Sequence, residues 1–332
     1  MFDSISRRLA LTRGFCIAAL AALGGLAAQP AHAQADARPI EWVVGYAAGG
    51  GSDAVARATA ETLSKILGQP IVINNKPGAA TNIAAEYAAR ARADGHVMLT
   101  ADFATLAANP FLFSRLPYDA EKDFAPVGML ARFPLVLVVS PKVPARTWAE
   151  FVTWAKAQPG GVHYASAGTG SPHHLATELL RERTGLTLTH VPYKGAAPAL
   201  QDILGGNVAF MLVDTASGNP FVKSGKLHAL GVASAQRVPS LPDVPTLIEQ
   251  GVTGYEAYAW QGLAVPAATP PQTLARLSKG LTEALQSDAV KARFEALGVD
   301  GLSGTPDDMA RYVKAERERW GKLIRDNNIR ID

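Results

Sequence analysis

Strand-length apolar runs alternate with longer helical segments through the first part of the chain, at residues 42–45, 54–67, 71–73, 83–91 and 97–100. A helix between two strands must carry the chain back over the sheet, so this order predicts an α/β fold with mostly parallel sheets. The chain has 332 residues, more than one hydrophobic core comfortably serves, and two domains are expected. Two further apolar stretches, 133–141 and 258–266, read as crossings between them. If both cross, the first lobe is discontinuous, made of 34–136 and 262–332, and 137–261 forms the second lobe.

The N-terminus reads as an export device. Arg7, Arg8 and Arg13 precede an apolar run at 15–28 and the small-x-small pattern Ala31-His32-Ala33. This is the layout of a secretory signal peptide over residues 1–33, cleaved after Ala33, which implies a periplasmic location. The run is shorter than the roughly 20 residues that span a bilayer. Ser6-Arg7-Arg8 has a twin-arginine look, but Ala10 stands where that signal carries a bulky apolar residue, so the export route stays open. Cleavage removes Cys16, the one cysteine. Cysteine nucleophiles, Cys-ligated zinc and iron–sulfur clusters are thereby excluded. Cleavage also removes three arginines and one aspartate from a chain of formal charge +3. The near-neutral remainder argues against nucleic acid or an anionic membrane as a partner.

Three glycine-rich turns carry the chemistry. The first, Gly45-Tyr46-Ala47-Ala48-Gly49-Gly50-Gly51-Ser52-Asp53, ends a strand and opens a helix. Glycines let a ligand approach the backbone, and the free N–H groups of a helix start favour an anion. No Gly-Lys-Ser/Thr follows, and the glycines are consecutive, so neither a P-loop nor a dinucleotide fingerprint fits. The alternative is a plain turn with Ser52 or Asp53 capping; Asp53 is expected to cap, since a carboxylate beside an anion would repel it. The second turn is Asn75-Lys76-Pro77-Gly78-Ala79-Ala80-Thr81-Asn82, weak by itself. The third runs from Tyr164 to His174, with Ser171 as N-cap, Pro172 at the first helical position and Gly185 as stop. Ser171 either only caps or also touches ligand. Asp214, just past a strand at 208–213, either orients bound water or a ligand amine or caps the next turn.

Catalytic readings fare poorly. His174 and Glu178 share a helical face, but His163 and His190 have no spacing that marks a third ligand, so no metal is expected and His174 is read as packed and hydrogen-bonded. No Gly-x-Ser-x-Gly occurs, and Ser52 and Ser171 sit at cap positions. No enzyme, cofactor or catalytic residue is predicted. At the C-terminus, Thr305-Pro306-Asp307-Asp308 starts a helix whose stripe Met309, Tyr312, Val313, Trp320, Leu323 and Ile324 packs, while Lys314, Arg317 and Lys322 face water.

An ordered set of motifs extends these readings. Gly-Gly-Gly-Ser-Asp at 49–53, Pro-Tyr-Asp at 117–119 with Asp-Phe-Ala-Pro-Val at 123–127, Ser-Ala-Gly-Thr-Gly-Ser at 166–171, His-Leu-Ala at 174–176, His-Val-Pro-Tyr-Lys-Gly at 190–195 and Pro-Asp-Val-Pro-Thr at 242–246 occur in one chain. With Trp260-x-Gly262-Leu263 and Pro266-x-x-Thr269-Pro270, the set resembles the Bug-type receptors of tripartite tricarboxylate transporters over nearly the whole mature chain. The resemblance implies a two-lobed periplasmic-binding fold, type II-like, hinged about a ligand cleft. It implies binding positions at Tyr46, Ala48, Gly49, Gly50, Gly51 and Ser52, at Ala101, Asp102 and Thr105, at Ser166, Thr169 and Ser171, and at Asp214. In that family the ligand carboxylate is held by backbone amides, hydroxyls and waters rather than by an arginine. The implied partners are a small organic acid (mono- or dicarboxylate, aromatic acid or amino acid) and transporter membrane subunits, with the receptor a monomer; a sensing receptor that signals to a membrane protein is the alternative. The chain departs from the family at Ala47-Ala48, at Ala80-Thr81, at Ala93-Asp94-Gly95-His96 and at Asp102. If Asp102 faces the cleft it disfavours a second ligand carboxylate and favours an ammonium, a hydroxyl or an uncharged end; if it serves a turn, nothing follows.

Overall fold

The computed structural model describes residues 38–331; the expected signal peptide at 1–33, its cleavage point and Cys16 lie outside them. Two sheets share one strand. The first has the order β2 (Ile71–Asn75), β1 (Ile40–Val44), β3 (Val97–Asp102), β9 (Tyr258–Pro266), β4 (Phe124–Val139), with β10 (Asp300–Gly301) on β4. β1 runs parallel to β2 and β3, whereas β9 is antiparallel to β3 and β4. The second sheet has β7 (Phe210–Asp214) beside β4, then β5 (Val162–Ser166) and β6 (Leu188–Pro192), with β8 (His228–Val232) also on β4. β5, β6 and β7 are parallel.

β4 carries the chain from one sheet to the other. Its first stretch pairs with β9 as far as Pro134↔Tyr258, and from Leu135 onward it pairs with β7 and β8. The exchange falls at Pro134, which has no N–H to give to a ladder. The apolar run after it, Leu135 to Val139, is fully buried, as a strand covered on both faces requires.

Helices follow most strands: α1 (Gly51–Leu67), α2 (Asn82–Ala89), α3 (Asn109–Leu112), α4 (Trp148–Lys156), α5 (Pro172–Thr184), α6 (Ala196–Gly205), α7 (Thr215–Lys223), α8 (Pro271–Gln286), α9 (Asp288–Leu297) and α10 (Pro306–Asp326). A π-helical turn, Phe103–Ala108, links β3 to α3. Local sequence sets several starts. Thr305 and Asp308 form a capping box at α10, Thr147 and Glu150 another at α4, and Ser171 caps α5 ahead of Pro172. In α10, Met309, Trp320 and Ile324 are buried and Lys314 and Lys322 are exposed. Arg317 departs from the expected solvent position: it pairs with Glu121 at 3.0 Å and is half-buried, because its guanidinium lies over the Phe111 ring, 5.8 Å from the centroid, and finds a carboxylate there. Trp320 meets Phe103 edge to face at 5.1 Å, seating α10 beneath the turn that follows β3. Among the described residues, no helix is long and apolar enough to cross a membrane.

Candidate ligand-binding cleft

The first turn begins where Gly45 passes so close to Thr81 that a Cβ on it would lie 2.8 Å from the Thr81 Cβ. Gly49 has φ +85, a conformation that side chains other than glycine adopt only at a cost. Its amide donates to Asp53 Oδ2 at 3.0 Å. Asp53 also takes Arg57 at 2.9 Å. Burial pushes the Asp53 carboxyl up, but Arg57 and the Gly49 amide prevail and hold it below its ordinary range. Asp53 therefore serves the turn.

Residues from the second sheet reach across to this turn. The Gly51 amide donates to Ser217 Oγ at 2.6 Å, and Ala47 N–H to the Lys194 carbonyl at 3.0 Å. Asp214 lies directly against Gly51: an added Cβ would be 2.1 Å from its Oδ1. Asp214 Oδ1 caps α7 through Ser217 N–H at 2.8 Å, and Oδ2 faces His173 Nε2 at 3.2 Å.

From the first sheet, Asp102 ends β3. Its Oδ1 accepts the Thr105 amide at 2.9 Å and its Oδ2 accepts the Tyr46 hydroxyl at 2.7 Å. Asp102 thus both serves the turn and faces the cleft. Burial pushes its carboxyl above the ordinary range despite these two donors. Burial, then the adjacent Asp102, raise the Tyr46 hydroxyl well above the usual phenol range, so it remains a donor.

These groups surround a cavity of about 30 Å³ lined by Tyr46, Gly50, Gly51, Ser52, Asp102, Phe133, Ala167, Pro172, His173, Ala196, Asp214, Ala259, Trp260 and Gln261. Both sheets contribute. A second cavity of about 300 Å³ lies beyond Tyr46, between Gly78–Thr81 on one side and Gly168, Thr169, Ser171, Tyr193 and Lys194 on the other. Of the positions expected to bind, Tyr46, Gly50, Gly51, Ser52, Asp102 and Asp214 converge on the inner cavity, while Thr169 and Ser171 line the outer one. Ala48, Gly49, Ala101, Thr105 and Ser166 line neither. Ala101 is held in the ladder opposite Gly262. The Thr105 hydroxyl bonds Thr81 at 2.9 Å, and Ser166 Oγ bonds His190 Nε2 at 2.6 Å.

His174 is a core residue. Its Nδ1 accepts the Gly170 amide at 3.2 Å, and its ring stacks on His190 with centroids 4.0 Å apart. Burial lowers His174 to about 4 and His190 to about 3, so both are neutral at physiological pH. Glu178 is engaged by Tyr164 at 2.6 Å and by Arg181 at 2.8 Å. Among the described residues no cluster of three or more His, Cys, Asp and Glu is set to hold a metal.

Two polar residues of the inner cavity, His173 and Gln261, carry no individual signal in the sequence. His173 lies inside the Tyr164–His174 turn with nothing to set it apart, and Gln261 is the unspecified position between Trp260 and Gly262. A polar residue within the apolar run 258–266 was the available hint. That it opposes Asp102 depends on the β3–β9 register, which no local pattern sets.

A family model, "Tripartite tricarboxylate transporter family receptor", matches residues 55–329. Protein BugT of Bordetella pertussis (strain Tohama I) is 36% identical over 311 residues, covering 93% of this chain and 95% of the relative. Among solved structures, "R. palustris Rpa4515 with adipate" superposes with TM-score 0.85 at 35% identity, covering 87% of this chain and 97% of that one. "Structure of periplasmic binding protein BugD" superposes with TM-score 0.84 at 33% identity, covering 89% and 99%. These neighbours share the two-lobed α/β fold, and they are binding proteins rather than enzymes.

Proposed function

Because the chain belongs to the family of tripartite tricarboxylate transporter receptors, we propose that it captures a small organic carboxylate between two closing lobes and delivers it to the membrane subunits of such a transporter. One observation carries this reading. The first turns of four helices meet at the inner cavity: Gly51 and Ser52 of α1, Pro172 and His173 of α5, Ala196 of α6, and Asp214, the cap of α7. Each amide end favours an anion beside it, and no lysine or arginine stands in the wall.

The lobes follow the two sheets in this proposal. The first holds residues up to Pro134 and again from Tyr258, and the second holds the segment between, a few residues from the boundaries 136/137 and 261/262 expected from sequence. Ligand contacts are assigned to Tyr46, Ala48–Ser52, Ala101, Asp102, Thr105, Ser166, Thr169, Ser171 and Asp214, some of them through ordered water. The receptor works as an exported monomer, with residues 1–33 as its signal. A cavity of about 30 Å³ accommodates little more than water, so the lobes part to admit an acid and close on it. A closed, ligand-bound form is what a permease can distinguish from the open one.

The test is a thermal-shift and calorimetric titration of ligand-stripped protein with a panel of mono- and dicarboxylates, aromatic acids and amino acids. Binding to the folded form alone raises the melting temperature. Gly50→Asp supplies the control. A Cβ there meets only ordinary contacts at 3.8 Å, and aspartate is a good N-cap at its extended φ of −87. The variant should fold as well as the parent and lose anion binding. Retained affinity would remove the α1 turn from the site.

A further inference from the structure

The inner cavity holds two carboxyl groups and no basic side chain other than His173. Asp102 and Gln261 are direct partners in the β3–β9 register, so their side chains emerge on the same face as close neighbours. Both line the cavity and are 4% and 1% exposed. Asp102 accepts from the Thr105 amide and from the Tyr46 hydroxyl, which fixes its carboxyl as an acceptor with lone pairs to spare. Gln261 is less usual, since its Oε1 and Nε2 are both buried with no hydrogen-bond partner. Buried amides are normally satisfied, and one left open in a cavity wall marks a place where another molecule completes it.

We propose that the ligand carries a protonated amine beside its carboxylate, that is, an amino acid zwitterion, and that Asp102 with the Gln261 carbonyl receives the ammonium while Gln261 Nε2 donates to the ligand carboxylate. This rests on the carboxylate-binding role proposed above and names the class of acid. The ammonium supplies the cation that the buried Asp102 lacks, since no lysine or arginine lines the cavity. The ligand carboxylate then lies toward the α1 N-terminus at Gly50–Ser52. A second carboxylate in place of the amine would face Asp102 at close range. In a buried site the contrast between opposite and like charge is worth on the order of a hundredfold in affinity.

The experiment compares, by calorimetry at neutral pH, amino acids with the deaminated acids of the same skeleton: aspartate with succinate, glutamate with glutarate, leucine with 4-methylpentanoate and alanine with propionate. The expected result is that at least one amino acid binds about a hundredfold tighter than its deaminated partner. Asp102→Asn, nearly isosteric and able to keep the Thr105 bond through its carbonyl, should erase that preference by weakening the amino acid about a hundredfold more than its deaminated partner. Gln261→Leu should weaken the amino acid by about tenfold without lowering the melting temperature, since it removes an unsatisfied buried amide. If the deaminated acids bind as well or better, the amine assignment is overturned while the carboxylate receptor stands. If Asp102→Asn weakens both members of a pair equally, the residue only shapes the site and the assignment is also overturned. If no acid of either kind binds, both readings fall.

Discussion

Replacing Gly51 with alanine separates lobe closure from folding. Gly51 is the first residue of α1 and its backbone is helical, so alanine adopts it without strain and is intrinsically the better helix former by up to about 1 kcal/mol. Within its own lobe the change is neutral or favourable. Across the cleft, however, the new Cβ would stand 2.1 Å from Asp214 Oδ1, 2.9 Å from its Cγ and 3.2 Å from the Ala216 Cβ, against roughly 3.5 Å for an unstrained contact. Asp214 cannot swing aside freely, because Ser217 N–H at 2.8 Å and His173 at 3.2 Å hold its two oxygens. Giving up both costs about 2–3 kcal/mol. Parting the lobes avoids that cost, so the penalty falls on the closed form, and ligand affinity should drop about 30- to 150-fold. Calorimetry on a ligand that binds the parent measures the affinity. Small-angle scattering at saturating ligand for the parent should show the larger radius of gyration in the variant, and the melting temperature without ligand should not fall. Undiminished affinity with an unchanged radius would refute the claim that Asp214 packs on the α1 N-terminus when the lobes close.

Other outcomes follow from single features. Ala79, Ala80 and Thr81 are consecutive with φ of 45, 52 and 73, and glycine pays no Cβ cost there, so Ala80→Gly should raise the unfolding free energy in urea by up to about 1 kcal/mol; a loss of that size would show that the turn is not strained. His174 and His190 have depressed values of about 4 and about 3, against about 6.5 when unfolded. Below pH 6.5 the unfolded chain takes up protons that the native state refuses, so their contribution is whole above that pH and is lost as pH falls toward 4. Each should cost about 2 kcal/mol at pH 5 relative to pH 7, read from urea midpoints, with a shallower slope in His190→Gln; equal slopes in the two proteins would contradict buried neutral rings.

What was legible from sequence is what the chain decides locally. The alternation of apolar runs, the Ser171-Pro172 start of α5 and the Thr305–Asp308 box of α10 depend on residues within a few positions of one another, where backbone propensity and capping act. The glycine turn after β1 was readable for the same reason: Gly49 needs its left-handed φ wherever the turn sits. The family resemblance marked these turns and Asp214 as binding positions and added Ala101, Asp102 and Thr105, but not how they meet.

Tertiary structure decided the rest. Gly51 and Ser217 are 166 positions apart and share a hydrogen bond; His173 and Asp214 are 41 apart and pair in the cavity wall. Gln261 reaches the cavity wall only because β9 lies antiparallel to β3 in the register that sets it opposite Asp102, and a slip of one residue would turn it to the other face. Asp102 itself could be read from sequence as a turn carboxylate or as a cleft carboxylate. It is both, because its two oxygens are shared between the Thr105 amide of its own turn and the Tyr46 hydroxyl brought in from the turn after β1. A side chain's type fixes what it can bond, and only packing fixes which distant group is there to be bonded.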